Sequence, residues 1–272
     1  MLDELLLNAP VFLLLFARSV AMIEVAPLLS SESVPQTAKI SLALFAAFAV
    51  FPSAAAQPDW AELPGMTDGL FSLGYALLIA GEGIIGIIIG FFMTIIFAAA
   101  SSAGQFFSLQ MGFGASETFD PLAQIENPLM GQFLNLVAML TFLVMDGMQD
   151  MFLGGFAASV KSLNVVELVN GRENVTLMLS GGLARLFLNA IVISMPVLGT
   201  LLLTSLATGL ISKAAPQINI LSEGFPISIS VAFILIMATM PFMVEALGRV
   251  LEGGFRSLQD LYIQVGGGIN NV

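Results

Sequence analysis

A small set of ionisable residues lies inside long apolar stretches of this sequence, where a charged side chain is costly to bury. A row of such groups could carry protons or ions across a membrane, with Glu82 and Asp146 as the ion-handling pair. The same groups could instead pair with one another where helices touch, or lie at helix ends that reach the membrane surface. The set comprises Arg18, Glu24, Glu82, Asp146, Asp150, Arg185 and Glu245.

Several kinds of chemistry are excluded because the chain contains no histidine and no cysteine. Thiol nucleophiles, disulfides, histidine-based acid–base catalysis and metal binding through these ligands are therefore absent. No serine nucleophile motif or aspartyl pair is visible either. The formal net charge of −11 lacks the basic footprint of a nucleic-acid-binding protein. The sequence predicts a protein that is not an enzyme, binds no cofactor or metal, and does not bind nucleic acid.

The composition predicts an integral membrane protein in contact with lipid. Hydrophobic residues make up 57% of the chain and charged residues only 10%, whereas soluble domains carry about 25% charged residues. The apolar residues are gathered into long runs, which is typical of transmembrane helices. The first run, 5–29, follows Asp3 and Glu4 rather than a basic segment, so we interpret it as a retained helix and not as a signal peptide.

The lengths of the apolar runs do not suit a simple series of membrane-spanning helices. A helix crosses the membrane with about 20 residues, yet the run 70–111 would make one helix of about 60 Å. Either the long runs are broken into hairpins, or much of their surface faces other protein. The sequence predicts one all-α domain with six apolar runs: 5–29, 39–51, 70–111, 129–160, 175–211 and 225–247.

In two segments the positions of the glycines are informative. Gly86 and Gly90 form a GxxxG step beside Glu82, a spacing that lets two helices approach closely. The segment 104–128 is punctuated by Gly104, Gly112 and Gly114, and it continues to Asp120-Pro121 and Asn127-Pro128. Glycine and proline there make a regular helix across 112–128 improbable. This second segment could be a plain connecting loop, or non-helical backbone enclosed by protein or by a water-filled cavity.

Four groups of motifs, in this order and spacing, resemble the FliR family of flagellar type III export proteins. The resemblance covers nearly the whole chain and extends more distantly to the corresponding virulence secretion subunits. The motifs are Phe16-Ala17-Arg18; Glu82 through Gly90-Phe91; Ala103-Gly104-Gln105 through Met111-Gly112 with Asp120-Pro121; and Ala215-Pro216-Gln217-Ile218-Asn219-Ile220 with Gly224-Phe225-Pro226.

The resemblance implies an architecture and a set of partners. FliR resembles a fusion of FliP and FliQ, so residues 1–160 would be FliP-like and residues 161–272 FliQ-like. With FliP and FliQ the protein would form a channel in the bacterial inner membrane at the flagellar basal body. Unfolded export substrates would pass through this channel, with FlhB bound around it and FlhA beneath it. Much of such an assembly lies above the membrane plane, which would explain the long apolar runs.

The resemblance also implies roles for individual residues. The loop near 112–127 would lie in the pore and help to close it, and a further set would pack helices together or form interfaces. The predicted gate residues are Met111, Gly112, Phe113, Gly114, Ala115, Ser116, Glu117, Thr118, Phe119, Asp120 and Pro121. The predicted packing residues are Arg18, Glu82, Gly86, Gly90, Pro216, Gln217 and Asn219.

Two positions depart from the family pattern. Asp146-Gly147-Met148 stands where FliR-like sequences often show Asn-Gly-His, so any role of that histidine cannot operate here. Glu82 stands where relatives can carry an uncharged amide, which argues against an obligatory proton relay. A small polytopic transporter or ion channel that uses Glu82 and Asp146 remains the alternative hypothesis.

Overall fold

The computed structural model describes residues 8–57, 60, 63, 65–66, 72–112, 129–214 and 220–266. All regular secondary structure within these residues is helical, which confirms the prediction of an all-α protein. The principal helices are α1 (Ala9–Val25), α2 (Gln36–Ala55), α3 (Leu73–Met111), α4 (Leu129–Val144), α5 (Gly147–Ser162), α6 (Val165–Asn170), α7 (Arg172–Ala214) and α8 (Ile220–Gly266).

Prolines set the ends of the first two helices. Pro10 lies in the first turn of α1, where the missing amide proton costs nothing. Ala26, which precedes Pro27, has extended backbone angles (φ −63°, ψ 132°) and ends α1, because proline disfavours a helical conformation in the residue before it. Pro35 directly precedes α2. The predicted run 5–29 therefore contains a shorter helix than its apolar length suggests.

Helices α1 and α2 form an antiparallel hairpin. Phe12, near the start of α1, meets Phe51, near the end of α2, with ring centroids 5.9 Å apart. At the other end of the hairpin, Lys39 Nζ lies 3.2 Å from Glu24 Oε2. The buried face of α2 is mostly alanine, so the two helices pack closely.

Helix α3 runs parallel to α1. The Tyr75 hydroxyl donates a hydrogen bond to the Pro10 carbonyl over 2.8 Å, and the Thr94 hydroxyl donates to the Val25 carbonyl over 3.0 Å. These contacts join the beginning of α1 to the beginning of α3, and the end of α1 to the middle of α3. The buried residues at the centre of this pair are aliphatic, apart from a few polar groups described below.

The over-long apolar runs differ in whether they are broken. Runs 70–111 and 175–211 lie in the continuous helices α3 and α7. The run 129–160 is broken, because α4 and α5 meet at an angle of 78°. Asp146 lies at this break with a left-handed backbone (φ 56°). The segment Met151–Ala157 within α5 is a π-helix.

Helices α7 and α8 are long and sparsely covered. At 43 and 47 residues they are about 64 and 70 Å long. Within an apolar stretch of 18 residues in each helix, the buried share is 33% in α7 and 17% in α8, against 61% in α3. By length and composition, four of the described helices could each cross a membrane, or up to five spans if the α4–α5 pair counts as one. The protein is therefore an all-α membrane protein.

The chain packs as two compact units. One comprises residues 1–95, 146–183 and 252–272, and the other residues 96–145 and 184–251. The core of the first unit includes Leu14, Leu15 and Ile85. In the second, the rings of Phe97 and Phe142 meet edge to face with centroids 5.4 Å apart. The division into FliP-like and FliQ-like parts near residue 160 stays a prediction.

Candidate functional site

A buried ion pair joins α1 to α3 within the first unit. Arg18 Nε donates a hydrogen bond to Glu82 Oε2 over 2.6 Å, and the Arg18 NH2 group contacts the same oxygen. Both side chains are fully buried, at 0% exposure. Because an isolated charge in an apolar interior is very costly, each of these groups is tolerated only through its partner.

Arg18 has three further neighbours, from distant parts of the chain. Its NH1 group donates to the Ser159 hydroxyl over 3.0 Å, and NH2 donates to the Leu163 carbonyl over 2.8 Å. The guanidinium carbon lies 5.4 Å from the centre of the Trp60 ring, a geometry in which a cation is attracted to an aromatic face. The planar guanidinium can serve these partners together because its donors point in several fixed directions.

The partners of Arg18 are themselves oriented by their surroundings. The Ser159 hydroxyl donates to the Phe156 carbonyl over 2.7 Å, so its oxygen is left to accept from Arg18. Phe156 belongs to the π-helical segment of α5. The Tyr262 hydroxyl of α8 donates to the neighbouring Gly155 carbonyl over 2.8 Å and is buried. Two neighbouring carbonyls of this irregular segment therefore accept side-chain hydrogen bonds, one from α5 itself and one from α8.

Glu82 uses only one of its two carboxylate oxygens. Oε1 is buried and has no hydrogen-bond partner among the residues that the structure describes. Asp146 is exposed at the bend before α5, and no described hydrogen bond or ion pair links it to Glu82. The geometry therefore brings Glu82 together with Arg18 and not with Asp146, which favours pairing at a helix contact over an ion path.

The predicted GxxxG step lies directly beside the ion pair. A methyl group added at Gly86 would overlap the Arg18 carbonyl oxygen, and one added at Gly90 would lie 2.8 Å from the Met22 carbonyl oxygen. Since real Cβ atoms do not approach other atoms so closely, only glycine permits this separation of α1 and α3. This close approach brings the backbone of α1 at Arg18 against α3, where the Arg18 side chain bonds to Glu82.

The remaining predicted site residues are distributed as follows. Met111 is the buried last residue of α3, and Gly112 follows it in a turn with φ +84°. A positive φ is a conformation that glycine adopts without strain. Gate residues 113–121 and the packing residues Pro216, Gln217 and Asn219 lie outside the described residues. No group of residues suited to hold a metal ion occurs among the residues that were described.

Sequence reasoning missed three partners of Arg18: Ser159, Trp60 and the Leu163 carbonyl. Ser159 lies 141 residues away and the carbonyl belongs to the backbone, so no local pattern marks either of them. Trp60 is the only tryptophan of the chain and lies in a polar stretch between two apolar runs. A large aromatic residue in such a stretch was the one sequence feature that could have pointed to a buried contact. The π-helical segment was missed as well, although Gly154 and Gly155 lie at its centre.

Comparison with known proteins shows which family of proteins this helical membrane protein resembles. The model of the family described as bacterial export proteins, family 1, matches residues 9–254. The flagellar biosynthetic protein FliR of Escherichia coli K12 is 31% identical over 248 residues, which cover 90% of this chain and 89% of that protein. FliR of Bacillus subtilis 168 is 29% identical over 94% and 96% of the two chains. FliR of Borreliella burgdorferi is 34% identical over 68% and 70%.

These matches cover most of the chain and of the relatives. The chain belongs to the bacterial export protein family that includes FliR, as the sequence motifs predicted. It is therefore a component of the flagellar export apparatus.

Proposed function

We propose that this chain joins FliP and FliQ subunits to form the protein-conducting channel of the flagellar type III export gate in the bacterial inner membrane. Membership of the family supports the proposal. The observation that carries it is the length of apolar surface that the chain leaves uncovered. No enzymatic step is assigned to the chain: unfolded substrates would thread through the assembled channel, driven by machinery in other subunits.

The uncovered apolar surface of α7 is longer than the hydrocarbon core of a membrane. Its exposed apolar side chains run from Leu177 to Ile211, a rise of about 51 Å. The hydrocarbon core is about 30 Å thick, and membrane helices tilt by roughly 40° at most. A 30 Å layer covers only about 39 Å of a helix at that tilt. The excess length supports the proposal that part of this surface packs on protein, as in one subunit of a closed helical assembly.

The resemblance supplies the finer assignments. In this proposal residues 1–160 take the FliP-like position and residues 161–272 the FliQ-like position. FlhB binds around the outside of the channel, FlhA lies beneath it, and lipid surrounds the part within the membrane. The loop formed by residues 112–127 helps to close the pore. Phe113 and Phe119 supply apolar bulk, while Gly112 and Gly114 supply backbone freedom.

Co-expression tests the proposed assembly. Expressed without FliP and FliQ, the chain should aggregate or be degraded, because its apolar surface lacks protein partners. Expressed with them, it should elute as one large complex whose native mass gives the subunit numbers. A well-behaved monomer in detergent with transport activity would contradict the proposal and would favour the small transporter.

A deletion tests the proposed closure. Removal of residues 113–118 should make membranes leak small ions or solutes while some secretion continues, because a gate must be held closed by modest contacts. The measurement is membrane permeability in cells that carry the deletion, with assembly confirmed by purification of the complex. An assembled complex that stays sealed would show that the loop only connects two helices.

A further inference from the structure

We propose that Arg18 is a positioning residue, one that holds two chain connections in place besides pairing with Glu82. The first contact is with Trp60, in the connection between α2 and α3. The second is with the Leu163 carbonyl, at the end of α5 and the turn into α6. This inference is independent of the proposed function, because it concerns contacts within the chain.

The contact with α5 acts as a helix cap supplied from elsewhere in the sequence. The last carbonyl groups of a helix have no partner within the helix. Leu163 is the residue that ends α5, with extended backbone angles (φ −143°, ψ 120°). Arg18 donates to its carbonyl from a position 145 residues earlier in the chain. A cation at a helix C-terminus is also favoured by the helix dipole.

The position of this cap determines where the next helix begins. Asn164 directly follows Leu163 and caps α6: its side chain accepts from the Glu167 amide, and the Glu167 carboxylate accepts from the Asn164 amide. Arg18 thus fixes the residue that joins α5 to a separately capped helix. The Ser159 contact, one turn earlier, holds the preceding turn of α5 to the same guanidinium.

Trp60 contacts the flat face of the Arg18 guanidinium, whereas the hydrogen bonds are donated from its edge. Its side chain is 3% exposed, although Trp60 belongs to the polar connection between α2 and α3. Leu63, three residues later, is also buried at 4% exposure. The ring lies over the Arg18 guanidinium, 5.4 Å from centroid to carbon. Glu82 can neutralise the charge by itself, so these additional contacts are the ones that would order the connections.

Hydrogen exchange of the purified complex distinguishes this role from simple charge neutralisation. The experiment compares amide exchange in peptides that cover residue 60 and residues 159–166. In the double variant Arg18→Met/Glu82→Leu, no charge is left unpaired, so the chain should accumulate. Exchange in the peptide covering residues 159–166 should nevertheless become roughly tenfold faster or more, the factor that corresponds to losing a hydrogen bond to a charged group. Exchange in the peptide covering residue 60 should also become faster, by the smaller factor that corresponds to losing a cation–π contact.

The matched control is Glu82→Gln, which keeps Arg18 charged and keeps an oxygen that can accept from it. Exchange in the two peptides should rise less than in the double variant, because Arg18 keeps its contacts with Ser159, Leu163 and Trp60 although the opposite charge is lost. If the double variant does not accumulate, Arg18→Lys replaces it, because lysine keeps the charge but lacks the fixed fork of donors. Arg18→Lys should accelerate exchange in both peptides. Unchanged exchange in the double variant, or in Arg18→Lys where that variant is used instead, would overturn the proposal. The proposal would also be overturned if neither of these two variants accumulated in the cell while Glu82→Gln did.

Discussion

The region around Arg18 and the middle of α7 and α8 use apolar residues in opposite ways. Around Arg18, three helices and two connections bury one charged pair completely. Along the middle of α7, only a narrow row of residues is buried, including Ala190, Ile193, Val197 and Leu201. The first region is stabilised by contacts within the chain, whereas in the proposed assembly the second region is covered by partner subunits. Substitutions should therefore have different consequences in the two regions.

The largest effect is expected when Arg18 is replaced alone. Arg18→Met leaves the Glu82 carboxylate buried without its cation, which should cost about 3–5 kcal/mol. Glu82→Leu should be similarly harmful, because it removes both the opposite charge and the hydrogen-bond acceptor of Arg18. Glu82→Gln keeps an acceptor oxygen and should leave export largely intact. The measurements are the amount of protein in membranes, the thermal midpoint of the complex, and secretion. If Glu82→Gln abolished export while assembly stayed normal, Glu82 would need a role that depends on its charge.

A matched pair on α7 tests the contrast between buried and uncovered surface. Leu201 is 1% exposed and Leu203 is 66% exposed. Leu201→Asn should destabilise the chain itself by roughly 3 kcal/mol, since it creates a cavity and buries an amide. Leu203→Asn should leave the chain's own packing intact but reduce co-purification with the partner subunits. Equal losses of chain stability in the two variants would remove the distinction between the regions.

The glycines of α3 allow a smaller and cleaner comparison. Gly86→Ala places a methyl group against the Arg18 carbonyl, whereas the space beside Gly83 is open. We expect Gly86→Ala to destabilise the chain by about 1–3 kcal/mol through overpacking. Gly83→Ala should be neutral or stabilising by up to about 1 kcal/mol, because alanine is the better helix former. Thermal midpoints of the two complexes give the comparison; a loss in Gly83→Ala as large as in Gly86→Ala would contradict it.

Removing one arm of the Arg18 network should have a modest effect. Ser159→Ala deletes the acceptor of the 3.0 Å bond from Arg18 NH1 but leaves the contacts with Glu82 and Leu163. The expected loss is about 1 kcal/mol, the net value of one hydrogen bond, or somewhat more for a charged donor. The thermal midpoint of Ser159→Ala should lie between those of the unaltered complex and of Arg18→Met. A decrease in the thermal midpoint as large as that of Arg18→Met would mean that the contacts of Arg18 do not contribute independently to stability.

The smallest effect is expected at the exposed ion pair of α8. Arg249 NH1 lies 2.7 Å from Glu245 Oε1, but both side chains are about two-thirds exposed. Exposed pairs one turn apart on a helix contribute about 0.3–0.5 kcal/mol. Arg249→Ala should change the thermal midpoint little, and less at high salt, where the attraction is screened. A large loss would show that a partner covers this pair in the assembled complex.

The sequence alone was sufficient for the class of the protein and for its family. Low charge and long apolar runs predicted a helical membrane protein, because burying so much apolar surface requires lipid or protein around it. Ordered motifs along the chain predicted the family that the comparison confirms. The prolines at 27 and 35 lie next to helix ends for reasons of local backbone sterics, but the predicted run 5–29 extends past Pro27, whereas α1 ends at Val25.

Only the tertiary structure decided how the charged residues are used. Arg18 and Glu82 lie 64 residues apart, and Ser159 and Leu163 follow far later in the chain. No helical spacing links them, since their contacts depend on the packing of α1 against α3 and α5. The same holds for the long apolar runs: hydropathy could not distinguish the continuous α3 from the bent α4–α5 pair, because one residue in a left-handed conformation, Asp146, makes the difference.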